Sequence, residues 1–246
     1  MAARENRYGQ RFMEKHGIPA IAATLVQKYG SRVLNGPFAG MEYITESAGS
    51  SFVPKLLGSY ESELHPILNK IIATSYDFVV DVGSAEGYYA VGLAMHLPGT
   101  PAIYAFDINP HAQKLCRSLA EKNRVADKVH IEGFCDPKRL QQLLHGKSLV
   151  ICDCEGYETE LLDPVVAPIL LQSEILVELH DCLKPGITPI IRERFQNSHT
   201  LQMVDTAERN PDEYPVLNIL EPEQRTIAVG EFRNGTQQWM YMVPKQ

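Results

Sequence analysis

The 246-residue chain carries 23 Lys and Arg against 30 Asp and Glu, a net charge of −7. That balance argues against a nucleic-acid partner, because neutralising phosphates needs clustered Lys and Arg. Hydrophobic residues at 44% and charged residues at 22% suit a globular chain that builds one large core without metal or disulfide.

The opening Met-Ala-Ala-Arg-Glu-Asn-Arg has mixed charge and no apolar signal core. No run reaches the length of a transmembrane helix. A cytoplasmic location with no membrane partner is expected. The five cysteines, Cys116, Cys135, Cys152, Cys154 and Cys182, read as reduced thiols. Phe12, Ile18, Ile21, Leu25 and Val26 recur at helical spacing, interrupted near Gly17 and Pro19. The glycine-rich run from Val33 to Ile44 reads as a small hairpin. Residues 1–58 form an N-terminal helical and β cap, and residues 59–246 the main domain.

A helix is expected over Glu63–Ala73, with Ser59 or Ser62 as its cap. Glu61 stands just before it. Its carboxylate either reaches a cationic ligand or simply favours the helix dipole. Next comes Tyr76-Asp-Phe-Val-Val-Asp-Val-Gly-Ser-Ala-Glu-Gly-Tyr-Tyr. Phe78–Val82 has the length of a buried strand, Gly83–Gly87 turns, and a helix starts at Tyr88. Strand, glycine turn and helix make the nucleotide-binding βα unit. The spacing differs from the dinucleotide fingerprint, and Asp81 and Glu86 flank the turn. Carboxylates there repel a pyrophosphate and attract a cation. The stretch resembles motif I of class I S-adenosylmethionine-dependent methyltransferases, whose cofactor carries a sulfonium and an ammonium and no phosphate. The resemblance makes Asp81, Gly83, Ser84, Gly87 and Tyr88 cofactor-binding residues, with Glu61 toward the cofactor's ammonium.

Ala102–Phe106 reads as the second strand. Asp107 at its carboxyl end suits both ribose hydroxyls, and Ile108 suits one adenine face. Val129–Phe134 reads as the third strand. Asp136 beyond it accepts from the adenine amino group, caps the helix from Pro137, or does both. Leu149–Cys152 is a buried parallel strand. Asp153 follows, beside the place expected for the transferable methyl. Alternation puts Asp153 and Glu155 on one face and Cys152 and Cys154 on the other. Cys-x-Cys is a poor zinc spacing.

Glu174–Asp181 reads as the fifth strand, with Glu178 and His180 on one face. A glutamate in so apolar a run needs a partner. His180 is either a general base or a satisfied structural histidine. Helix Gly186–Phe195 and strand Thr200–Asp205 follow. The polar, proline-bearing segment 206–224 is a candidate lid. Thr226–Phe232 and Gln238–Val243 flank Arg233-Asn-Gly-Thr236, the signal of a terminal hairpin.

Together the elements describe an α/β, doubly wound, mostly parallel sheet. The class I resemblance implies seven strands and an antiparallel finish. Tyr60-Glu61, Asp153-Cys-Glu-Gly-Tyr-Glu158 and Glu178-Leu-His-Asp181 as a set are similar to the FkbM-type family over residues 57–200. That likeness implies O-methylation of a small hydroxylated acceptor of sugar or natural-product type. N-methylation, or a cofactor-binding module without transfer, is the alternative. S-adenosylmethionine is the implied cofactor. Asp153 and His180 are the catalytic pair, Asp153 also faces the cofactor, and Glu155 and Glu178 bind the acceptor. Mg²⁺ at Asp153, Glu178 and Asp181 is a second option to metal-free base catalysis by His180. The oligomeric state is open, a homodimer among the options.

Overall fold

The computed structural model describes residues 14–47, 51–233 and 237–245. Phe12 and the turn residues 234–236 lie outside them. Alternating apolar runs and amphipathic segments fold as read. Helix α1 (Ile18–Tyr29), α2 (Phe52–Leu57) and α3 (His65–Ile72) lead into β1 (Phe78–Val82), α4 (Tyr88–His96) and β2 (Ala102–Phe106). Then come α5 (Pro110–Lys122), β3 (Val129–Glu132), α6 (Pro137–Leu143), β4 (Ser148–Cys152), α7 (Glu158–Leu161) and β5 (Glu174–Leu179). The chain ends with α8 (Ile187–Phe195), β6 (His199–Asp205), α9 (Pro222–Val229) and β7 (Gln238–Pro244).

The seven strands form one sheet in the order β3-β2-β1-β4-β5-β7-β6. The first five are parallel, and β7 inserts antiparallel between β5 and β6. Chain direction of the crossovers reverses between β1 and β4, so their carboxyl ends open a crevice. Buried side chains form two clusters. One holds α1 to α5 and α9 against residues such as Val79, Ile103 and Leu176. The other holds α6 and α8 against Val80, Val150 and Val177. Neighbouring residues of one strand fall in opposite clusters because side chains alternate. Each buried Leu, Ile or Val contributes about 1.5–3 kcal/mol by leaving water.

The N-terminal segment shares the first cluster: Ile21, Leu25, Phe38, Met41 and Tyr43 are fully buried in it. The expected hairpin over Val33–Ile44 reduces to one bridge, Arg32 with Glu42. Helix α3 has no side-chain cap, so neither Ser59 nor Ser62 serves there.

The terminal hairpin is corrected. Residues 222–229 are helical: Pro222 starts α9, and Glu221 with Gln224 forms a reciprocal capping box, a local signal that outweighs the strand-like apolar run. The antiparallel finish survives with a different partner, since β7 pairs with β5 and β6. Segment 206–224 packs onto the first cluster through Tyr214, Leu217 and Leu220, and Arg209 ties it to Ser59 O, Glu63 and Glu231. No helix among the described residues is long and apolar enough to cross a membrane.

Candidate active site

The carboxyl ends of β1, β2, β4 and β5 surround a cavity of about 690 Å³. Its nucleotide side starts at the turn after β1. Gly83 has φ +85, and a Cβ there would stand 1.6 Å from the Asp153 carbonyl oxygen. Only glycine lets the β1 and β4 ends come this close. Gly83 and Ser84 donate their backbone N–H groups to Phe106 O. Ala85 N donates to Asp107 Oδ2 at 2.9 Å, and Asn109 N to Oδ1 at 2.8 Å. Asp107 is thereby aimed by two backbone groups while each oxygen keeps acceptor capacity.

An adenosine fits this side. The Ser84 hydroxyl is buried and has no hydrogen-bond partner among the described residues. Ile108 is 78% exposed and Phe134 63% exposed, and both line the cavity from the ends of β2 and β3. Two bare apolar side chains beside a carboxylate suit a flat base and its ribose.

The acceptor side is acidic. Asp153, Glu155, Glu178 and Glu231 line it together with Arg233. Arg233 pairs with Glu178 at 2.5 Å, Glu231 at 2.8 Å and Glu61, and donates to Gln237 Oε1 at 2.6 Å. Burial raises Glu178 above the usual carboxylate range. Asp153 and Glu61 raise it further, and Arg233 pulls it back. Burial likewise raises Glu61, against the pull of Arg233. Arg233 itself is held firmly charged: burial disfavours the cation, but Glu61, Tyr60, Glu178 and Glu231 outweigh it.

His180 is fully buried at the end of β5. Its Nδ1 meets Glu158 Oε1 at 2.5 Å. Its Nε2 faces Glu178 Oε2 at 3.5 Å and Asp153 Oδ1 and Glu155 Oε2 at 3.6 Å each. Nε2 and Asp153 Oδ1 are both buried, with no hydrogen-bond partner among the described residues. Burial alone would lower the imidazole. The Glu158 hydrogen bond and the carboxylates of Asp153, Glu158 and Glu155 more than offset it, so His180 is raised.

The cavity thus gathers Gly83, Ser84, Tyr88, Asp107, Ile108, Asp153, Glu155 and Glu178 of the expected residues. Others stand apart from it. Asp81 is buried and accepts from Ala90 N in the first turn of α4 at 3.1 Å, so it caps that helix from the strand. Gly87 adjoins Cys116 on α5. Asp136 accepts from Arg139 N at 2.7 Å and caps α6. Glu61 is occupied by Arg233 and the Tyr89 hydroxyl. Glu86, expected beside the cofactor, turns inward to Lys55 Nζ and the Tyr43 hydroxyl, both at 2.6 Å. Asp181 leaves the metal set: its carboxylate accepts from Gly186 N, Thr188 N and the Thr188 hydroxyl at the start of α8. Asp181 lies beyond the end of β5, in the turn that leads to α8, so strand alternation does not place it. The donors that do converge are Asp153, Glu155 and His180, within 4.8 Å of one another.

Arg233, Lys55, Phe134 and Glu158 are site residues that the sequence does not mark. Arg233 borders an Asn-Gly pair that reads as a turn, and Glu158 closes a stretch whose carboxylates Asp153 and Glu155 stand nearer the strand end. Nothing local marks either as part of the site.

Residues 53–155, from α2 through the end of β4, match the O-methyltransferase family model. The chain is an S-adenosylmethionine-dependent methyltransferase. This match corrects the FkbM-type resemblance, since the matching model is that of a different family. The residues behind that resemblance are partly engaged in internal contacts, Glu61 with Arg233 and Asp181 with α8. A candidate rRNA methylase from Clostridium thermocellum is 13% identical over 74% of this chain and 97% of its own, with a TM-score of 0.50. That likeness supports the fold of the methyltransferase. The O-methyltransferase from Bacillus cereus, solved with S-adenosylhomocysteine, is 12% identical over 74% of this chain and 80% of its own, at a TM-score of 0.48. No curated protein matches the chain.

Proposed function

We propose that the enzyme methylates a hydroxyl oxygen of a small polar acceptor. The observation that carries this reading is the Asp153 carboxylate, which lines the cavity with its side chain 28% exposed while its buried Oδ1 stands 3.6 Å from His180 Nε2. An alcohol is a weak nucleophile and needs a group to take its proton. When bound, the cofactor supplies an electrophilic methyl on a sulfonium. The turn Gly83–Ala85 and Asp107 hold its adenosine, and Ile108 and Phe134 flank the base. The exposed part of the Asp153 carboxylate accepts the acceptor's hydroxyl hydrogen, and His180 stands behind it as the next proton holder. Glu155 and Glu178 bind other polar groups of the acceptor. Held in place, the two reactants meet without a bimolecular encounter, which supplies much of the acceleration.

The carboxylates Asp153, Glu155, Glu178 and Glu231 at the acceptor side support a small molecule over RNA, whose phosphates they would repel. A second reading rests on the convergence of Asp153, Glu155 and His180. Two carboxylates and an imidazole suit a divalent cation that would orient the acceptor hydroxyl. The test incubates the protein and S-adenosylmethionine with a panel of monosaccharides and hydroxylated aromatic compounds. Mass spectrometry reads the gain of one methyl group, with and without EDTA. Methyl gain on an RNA substrate and on no panel member would overturn the acceptor class. Loss of transfer in EDTA, restored by a divalent cation, would select the metal reading.

A further inference from the structure

The buried carboxylate of Glu158 is unassigned by the chemistry above. It is the first residue of α7, fully buried. Glu155 and Gly156, separated from it by Tyr157, have φ of 53 and 101. These successive left-handed residues make the turn between β4 and α7. Glu158 Oε1 there accepts from Gly156 N at 3.0 Å and meets His180 Nδ1 at 2.5 Å.

Glu158 Oε1 already serves as the acceptor of the Gly156 N–H, so the imidazole nitrogen that meets the same oxygen is the donor. The other neighbours of the ring, Asp153, Glu155 and Glu178, stand at 3.5–3.6 Å from Nε2. That is beyond a well-formed hydrogen bond, so they leave the ring's orientation unset. We propose that Glu158 is the positioning residue of the acceptor site: it pins a proton on His180 Nδ1 and so turns Nε2 toward Asp153. The proton the ring exchanges is then the one on Nε2. This holds whether Nε2 relays a proton or ligates a cation, because both need its lone pair on the cavity side. The proposal rests on the acceptor site lying at Asp153.

The test uses the full-length protein labelled with ¹⁵N-histidine and loaded with S-adenosylhomocysteine. His180→Gln identifies the His180 signals. In the wild type, His180 is expected to show a protonated Nδ1 at neutral pH. In Glu158→Ala, the two neutral tautomers should both be populated. Glu158→Gln keeps the shape, and its S-adenosylhomocysteine affinity should stay within about two-fold of wild type. Its kcat on the panel acceptor should fall roughly 10–100-fold with little change in KM. An unchanged His180 spectrum in Glu158→Ala would overturn the proposal. So would unchanged kcat in Glu158→Gln, or loss of cofactor affinity in that variant, which would mark a general structural role. If no panel member is methylated, the acceptor reading fails, and the spectrum still decides the ring assignment.

Discussion

The carbonyl oxygen of Asp153 occupies the place that a side chain on Gly83 would need, 1.6 Å from an ideal Cβ. The glycine turn proposed to hold the cofactor and the residue proposed to receive the acceptor are thus in direct backbone contact. Asp153 N also donates to Val82 O at 2.9 Å. Gly83→Ala should force the two strand ends apart. Its circular dichroism should stay that of the folded protein, while S-adenosylhomocysteine affinity falls on the order of 100-fold, as misplacing a site by about 1 Å does. Calorimetric titration checks this, and unchanged affinity would contradict the contact.

Asp107 is aimed by Ala85 N and Asn109 N. Hydrogen bonds to a charged group contribute about 1.5–3 kcal/mol each. Asp107→Ala should therefore weaken S-adenosylhomocysteine binding about 10- to 100-fold in the same titration. Asp136→Ala is the contrast. It removes the cap of α6 and should lower stability by about 1 kcal/mol, with cofactor affinity nearly unchanged. A large affinity loss in Asp136→Ala would give that residue the adenine role after all.

Lys55 and Glu86 form a buried ion pair at 2.6 Å, with side chains 3% and 0% exposed. Breaking such a pair from one side costs about 3–5 kcal/mol, because a charge stays in a low-dielectric interior. Glu86→Ala also removes an acceptor from the Tyr43 hydroxyl. Urea unfolding should show a loss of that size, with the slope unchanged. A loss below about 1 kcal/mol would mean that water enters the pair.

Asp81 runs against the usual carboxylate rule. Burial, then the charge of Asp153, raises it to about 7, against the pull of Ala90 N and Lys55. The unfolded aspartate sits at about 3.9. Between roughly pH 4 and 7 the folded chain therefore holds a proton that the unfolded chain has lost. The folded state binds more protons there, so this residue's contribution to stability falls as pH rises through the window. Asp81→Asn keeps an acceptor for Ala90 N and removes the titration. Its stability relative to wild type should rise by roughly 2–3 kcal/mol between pH 5 and 8. A constant difference across that range would rule the shift out.

Much of the fold was legible because it rests on short-range patterns. Apolar runs of strand length ending at Asp81, Asp107 and Asp153 mark parallel strands, and Pro137 after Asp136 marks a helix start. The last region misled because Thr226–Phe232 is rich in strand formers. The signal that won, Glu221 with Gln224 around Pro222, is a helix start of the same local kind. At the site, residue type pointed to the right strand ends but not to partners. Glu86 and Glu61 carry the negative charge expected near the cofactor. Each instead faces a cation, Lys55 or Arg233, 31 residues away in one case and 172 in the other.

The sequence alone determined the cofactor class, because a strand, a glycine turn and a helix are specified by neighbours within about twenty residues. It also determined that Asp107, Asp153, Glu178 and His180 would stand at strand ends. Only the tertiary structure decided which of the carboxylates remain open to a ligand. Buried charge must find a partner wherever the fold brings one. Asp181 therefore went to α8, Glu61 to Arg233 and Glu158 to His180, while Asp153 kept a side chain 28% exposed in the cavity lining.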